Sequence, residues 1–233
     1  MKFKTTISTT KNGEHAIRGH NITELLSKHS FSEVILLLLR GDLGTTNETK
    51  LLEAMLVASV ENGIEAPSLF VPRIVAASGN DMHVALAASC LAIGSKHGGA
   101  AEACAALLTS NKTAEEIVAD TKVIAGFGHK IYKTEDPRAT ALYNKARELG
   151  FAATYFEKAY AIEKALATKK NKTLPLNIDG AIAATLLELK LDPRLGKALF
   201  MIARIVGASA HILEEMNQSN NYYRLEEGDV KNE

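Results

Sequence analysis

Three short segments carry the residue types that proton-transfer chemistry needs. Ser95-Lys96-His97-Gly98-Gly99-Ala100 sets a histidine before paired glycines, which remove side-chain bulk and free the backbone for a ligand's close approach. Gly126-Phe127-Gly128-His129-Lys130 sets glycines at alternate positions before a second histidine, a pattern suited to a tight turn whose amides could cradle phosphate or carbonyl oxygens. Asn177-Ile178-Asp179-Gly180 follows the extended piece Leu174-Pro175-Leu176 and opens an apolar run, so Asp179 could face a cleft as a base. Each segment also has a plainer reading. His97 could mark a helix break at the surface, and Asp179 could simply cap a helix. Gly126 and Gly128 alone are a weak signal, because Ile131 breaks the full dinucleotide-binding fingerprint.

Lys133, Arg138, Arg204 and Arg224 add cationic groups. Arg204 interrupts an apolar run, Phe200 to Val206, on a helix that otherwise wants burial. A buried guanidinium needs an anionic partner, either an internal carboxylate or a bound carboxylic acid. No metal-ligand spacing is present: the chain has no HExxH, no CxxC and no calcium-loop pattern. It also lacks a nucleophile elbow and a P-loop. Two histidines, one aspartate and several guanidinium groups suit proton abstraction beside a carbonyl, with a polycarboxylate held by arginines.

Helices must position these groups. The periodicity predicts helices near Ser32 to Leu39 and Glu48 to Val60, and another from Asp136 to Gly150 with Pro137 at its first position. A long last helix is predicted from about Leu195 to Met216, before a polar tail, Glu226 to Glu233, that should fray. Asn80 to Leu108, rich in Ala, Gly and Ser, reads as closely packed buried helices. Lys169 to Lys172 reads as an exposed connector. The best strand candidate is Lys2 to Ile7. The 233 residues suffice for one large domain or two small ones. Lys+Arg and Asp+Glu balance at 27 each, so no bulk field draws nucleic acid or an anionic membrane. Two cysteines, Cys90 and Cys104, cannot build a disulfide framework, and the opening lacks a signal-peptide core. The longest near-apolar stretch, read as Val84 to Gly94, is too short to span a bilayer. The expectation is a cytoplasmic protein with no nucleic-acid or membrane partner.

Together these segments resemble the citrate synthase superfamily, which includes citryl-CoA lyase and the C-terminal module of ATP-citrate lyase. The resemblance runs nearly end to end. Ala16 to Ile22 is similar to the family's early RGY-x-I segment, and Lys96 to Ala100 to its LHGGA segment. Gly126 to Lys133, continued by Asp136-Pro137-Arg138, is very close to the family's GFGHRVYK…DPR. Asn177-Ile178-Asp179 resembles the NVD that carries a catalytic aspartate. Arg204 to Gly207 with His211 to Glu214 is similar to a helix near the family's C-terminus.

The resemblance implies roles. His97 would bond the thioester carbonyl as acetyl-CoA becomes its enol, Asp179 would take the methyl proton, and His129 would polarise the keto group of oxaloacetate. Arg138 and Arg204 would clamp carboxylates, with Arg224 reaching in from the second subunit of a homodimer or higher even oligomer. Lys133 would meet a CoA phosphate. Gly126 and Gly128 would line the CoA side. No resident cofactor is implied, coenzyme A being part of the substrate or product. Two departures stand out. The chain is short, as in trimmed citryl-CoA lyases, and Asn62 stands where the family puts a histidine on the oxaloacetate or citrate moiety. Asn keeps a donor but carries no charge.

The expected fold is all-α and citrate synthase-like, trimmed, with a large domain from residues 1 to 100 and 185 to 233 and a small domain from 101 to 184. The expected activity joins or splits acetyl-CoA and oxaloacetate, most like cleavage of citryl-CoA. Alternatives are a compact citrate synthase that also hydrolyses citryl-CoA, and a weakly active CoA- or carboxylate-binding subunit.

Overall fold

The computed structural model describes residues 1–218 and 221–230. It is mostly helical, with one small sheet at the N-terminal end. That sheet comprises β1 (Ser8–Lys11), β2 (Glu14–Ile17) and β3 (His20–Asn21), paired antiparallel in that order. The strand predicted at Lys2 to Ile7 therefore lies just downstream. The cause is a tight turn: Asn12 and Gly13 both adopt positive φ, 53° and 80°, the geometry that joins two strands through two residues. Arg18 and Gly19 repeat the device between β2 and β3 with φ of 50° and 85°.

Eleven helices follow among the described residues. They are α1 (Ile22–Lys28), α2 (Phe31–Leu39), α3 (Thr46–Ser59), α4 (Pro67–Ala77), α5 (Met82–Leu91) and α6 (Ala101–Thr109), then α7 (Ala114–Asp120), α8 (Pro137–Glu148), α9 (Thr154–Lys170), α10 (Ile178–Glu188) and α11 (Gly196–Met216). Several starts are written locally. Ser30, Thr45 and Thr113 each form a reciprocal capping box with a glutamate three residues on. Asp136 caps α8 as predicted, and Gly150 follows its end at φ 82°.

The core forms around α10, whose residues from Gly180 to Leu187 are all buried. A helix apolar on every face belongs inside, and α3, α6, α8, α9 and α11 surround it. The main apolar cluster runs continuously from Ile35 to Phe200. The division expected at 100 falls just before α6, and that at 184 falls inside α10. α4, α5 and α11 pack on one another at one side, with small clusters such as Ala76, Ala85 and Ile212. The expectation that Asn80 to Leu108 is buried holds only in part. Within α5 only Ala85 and Ser89 are buried, while Leu91 is 86% exposed. The small residues serve contact with α4 and α11 on one face and leave the other bare. Among the described residues Pro193–Met216, not Val84 to Gly94, form the stretch long and apolar enough to cross a membrane. Here that helix packs against other helices and buries Arg204, as a core helix does.

Candidate active site

A loop stitched to the start of α10 brings two of the expected groups together. Gly128 N–H donates to Pro175 O at 2.7 Å, and Asn177 N–H donates to Gly126 O at 3.0 Å. The Asn177 side chain donates to Gly128 O at 2.8 Å and accepts from Gly180 N–H at 3.2 Å, capping the helix. A Cβ on Gly126 would lie 2.9 Å from Gly180 Cα and 2.7 Å from Cys104 Sγ, and one on Gly180 would lie 2.5 Å from Gly126 O. Only glycine against glycine permits this approach. Gly128 directs its N–H to Pro175 and Gly126 is packed against Cys104 and Gly180, while Gly128 also lines the cleft.

Asp179 is not the cap of α10. Asn177 holds that place, which leaves the Asp179 carboxylate uncommitted two residues later. Its Oδ1 is buried with no hydrogen-bond partner among the described residues. Burial pushes the carboxyl up to about 6, against the opposing pull of Arg138 and Arg204. A carboxylate so placed is a base poised near neutrality.

His97 stands in a turn closed by Gly94 and His97, which exchange backbone hydrogen bonds at 2.9 and 3.0 Å. The room left by its glycines is filled from within the chain. A Cβ on Gly98 would lie 2.4 Å from the Phe200 ring, whose plane meets the His97 ring edge-on. His97 Nε2 accepts from Ser68 N–H at 3.3 Å and lies 2.9 Å from Ser68 Oγ. That hydroxyl also accepts from Arg204 at 3.1 Å, while Arg204 Nε donates to Ser59 O at 3.0 Å. Arg204 is 2% exposed, with its guanidinium 4.8 Å from the Phe200 ring centre. No carboxylate pairs with it among the described residues, and desolvation lowers it to about 10. Of the two partners expected for a buried arginine, the internal carboxylate is therefore not found. Desolvation, with Arg204 and Lys130 nearby, holds His97 below the ordinary histidine range.

His129 faces the same cleft. Its Nδ1 accepts from the backbone N–H of Ile131 and Tyr132 at 3.1 and 3.2 Å, and its Nε2 lies 3.4 Å from the Arg138 guanidinium. Tyr132 stacks on it at 4.8 Å. Burial and Arg138 lower its titration. Arg138 is gripped by the buried Asp136, at 3.0 Å from Nε and 2.7 Å from NH2, and donates to Asn62 Oδ1 at 2.7 Å. Asp136 thus serves both as helix cap and as counter-ion.

His97, His129, Asp179, Arg138, Arg204 and Asn62 line one cleft of about 520 Å³. Lys96 and Lys130 line it too, so cations uncompensated by carboxylates outnumber its acids. Lys133 does not line it; its ammonium folds back to the carbonyls of His129 and Lys130. Arg224 lies elsewhere, beside Arg73, Phe70 and Tyr223 in a separate cavity. The sequence reading missed Ser68, a serine within an apolar helix, and Phe200. Among the described residues no group of three or more His, Cys, Asp or Glu is placed to hold a metal.

Residues 44–226 match the family profile described as citrate synthase, C-terminal domain. The chain is 31% identical over 208 residues to the citrate/2-methylcitrate synthase of Bacillus subtilis, covering 84% of this chain and 55% of that one. It is 30% identical over 211 residues to the citrate synthase of Saccharolobus solfataricus, with the same coverage. The chain spans about half the length of the curated relatives it matches. Among solved structures, citryl-CoA lyase from Hydrogenobacter thermophilus superposes with a TM-score of 0.92 at 38% identity, covering 99% of this chain and 94% of that one. ATP citrate lyase from Methanothrix soehngenii, in complex with citrate and coenzyme A, shares the fold at a TM-score of 0.92 and 24% identity, covering all of this chain and 42% of that one.

Proposed function

The chain belongs to the citrate synthase family, and we propose that it cleaves citryl-CoA to acetyl-CoA and oxaloacetate. The observation that carries this reading is the buried Asp179 carboxyl, unpartnered at Oδ1, sharing a cleft with two neutral histidines and the carboxylate-free Arg204. In cleavage, the citryl hydroxyl becomes a keto group, its proton passing to solvent water at the mouth of the cleft while the new keto oxygen lies against His129. The electrons of the broken carbon–carbon bond move onto the thioester side as an enolate, whose oxygen His97 bonds. Protonated Asp179 then delivers its proton to carbon, forming the methyl of acetyl-CoA. An acid lifted to about 6 holds and releases that proton near neutrality. Oriented donors in a closed cleft stabilise the enolate without reorganising.

The cationic excess suits the citryl carboxylates. Beside the His129 loop, a pocket of about 330 Å³ has apolar walls including Val123 and Phe127 and a rim of Lys122, Lys170 and Lys172. That combination suits an adenine nucleotide with phosphates, as coenzyme A presents, and Lys133 could unfold toward it. Exposed apolar pairs on three packed helices, Phe70 with Ile74, Val84 with Leu91 and Val206 with Leu213, suit a dimer in which Arg224 serves the second copy's cleft. Superposition on a citryl-CoA lyase at a TM-score of 0.92 and 38% identity, against 0.63 and 20% for a citrate synthase covered to a similar extent, favours lyase over synthase. Incubation with citryl-CoA tests this. Acetyl-CoA and oxaloacetate without free CoA is the expected result. Free CoA and citrate would mean a synthase, and binding without turnover a binding subunit.

A further inference from the structure

We infer that Tyr223 is a positioning residue that sets where Arg224 is presented. The inference rests on the reading that Arg224 serves the cleft of a second copy. Arg224 sits in Asn221 to Leu225, a stretch with neither helix nor strand. Among the described residues no backbone hydrogen bond ties that stretch to the helices. A guanidinium offered from such a segment would pay a large ordering cost at each encounter with substrate. The neighbouring side chain removes that freedom. Tyr223 Oη lies 3.0 Å from both carboxylate oxygens of Glu215 near the end of α11. The Glu215 side chain is wholly buried, and its Oε2 also accepts from Arg73 Nε of α4 at 2.6 Å. Arg73 in turn donates to Glu214 at 2.7 Å. A buried carboxylate held by a guanidinium is a fixed point, because moving either group would strand a charge. The tyrosine hydroxyl anchors the strap to that point, and Arg224 is the next residue along the chain. The surrounding cavity of about 630 Å³, walled by Ile64, Phe70 and Ile74, gives the strap apolar ground beside the anchor.

The tie therefore contributes to substrate binding and not to the chemical step. The test is steady-state cleavage of citryl-CoA by the full chain and by Tyr223→Phe, Arg224→Ala and the double variant. Tyr223→Phe keeps the ring and loses only the bond to Glu215. It is expected to raise KM about tenfold, the worth of one hydrogen bond to a charged group, with kcat nearly unchanged. Arg224→Ala is expected to raise KM further, and the double variant to match Arg224→Ala, since Tyr223 acts only through Arg224. If Arg224→Ala is impaired while Tyr223→Phe has normal KM, the positioning role is overturned and the reading of Arg224 stands. A lowered melting temperature with unmoved KM overturns it in the same way, as does a double variant whose defects multiply. If Arg224→Ala itself is normal, the reading of Arg224 falls, and the inference with it.

Discussion

His97 and Arg204 share one hydroxyl: Ser68 Oγ stands 2.9 Å from the imidazole Nε2 and 3.1 Å from the guanidinium. Because the oxygen accepts from arginine, its own proton is free to point at His97. Ser68 N–H donates to the same nitrogen, so Nε2 is an acceptor and Nδ1 carries the ring proton. The Ser68 backbone thus fixes the tautomer of the proposed enolate-binding histidine, and the Ser68 hydroxyl ties that histidine to the proposed carboxylate clamp. Ser68→Ala should lower kcat by about 10- to 100-fold, below the loss from removing an acid–base group, and raise KM as well. It should also cost ~1–3 kcal/mol of stability, because Arg204 keeps a buried donor without its acceptor. Chemical denaturation beside steady-state kinetics checks both. A change in stability alone would make Ser68 a packing residue.

Asp179 should trade stability for turnover. A carboxyl lifted from 3.8 to about 6 by burial is disfavoured as an anion by about 3 kcal/mol. Its folded-state value is raised, so its contribution is fully present below pH ~4 and is lost as pH rises through about 6. Asp179→Asn should therefore melt at higher temperature than wild type at pH 8, with the gap closing near pH 4. The same variant should have no measurable cleavage, since an amide delivers no proton. Matching melting curves at both pH values would show that the carboxylate is better solvated than its burial implies.

Much of this site is legible in the residue string because the chemistry needs particular side chains beside particular backbone signals. Asp136-Pro137 announces a helix start, and His129 nine residues before Arg138 sits on the loop that the same helix anchors. Ser68 is not legible, since a serine within a helix gives no sign that it faces His97, 29 residues further on. What crowds the glycines is not legible for a related reason. Glycine reports that something approaches closely, but not whether a ligand or the chain itself does so, and at Gly98 and Gly126 it is Phe200 and Gly180. The N-terminal hairpin is legible in Asn12-Gly13, a strong short hairpin signal that outweighs the β-rich composition of Lys2 to Ile7.

Shared clefts predict complementation. At citryl-CoA well below KM, Asp179→Asn chains alone should be inactive and Arg224→Ala chains alone severely impaired. Mixed under conditions of subunit exchange, they should form hybrids with one intact cleft and recover partial activity. Exchange is verified with two affinity tags. A hybrid that stays inactive, or a chain that sediments as a monomer, would confine each site to a single copy.

Asn62 yields the sharpest test of substrate contact. As neutral amide, it accepts from Arg138 NH1 at 2.7 Å through Oδ1 and leaves Nδ2 to donate to a ligand. A histidine there would meet two opposed demands. A cationic ring would bond a substrate carboxylate more strongly, at ~1.5–3 kcal/mol against ~0.5–1.5 for a neutral donor. The cationic ring, though, has no lone pair for Arg138 and faces its guanidinium, only partly screened by Asp136. Asn62→His should therefore bind oxaloacetate up to about tenfold tighter than wild type at pH 6, below the ordinary histidine value of ~6.5. At pH 8 the ring is neutral, and the advantage should vanish. Calorimetric titration of both proteins at the two pH values reads the difference directly, with wild type cancelling the titration of Asp179. A constant ratio of affinities would mean that position 62 orients Arg138 and does not touch the ligand, whereas tighter binding by wild type at both pH values would mean that the amide itself selects the substrate.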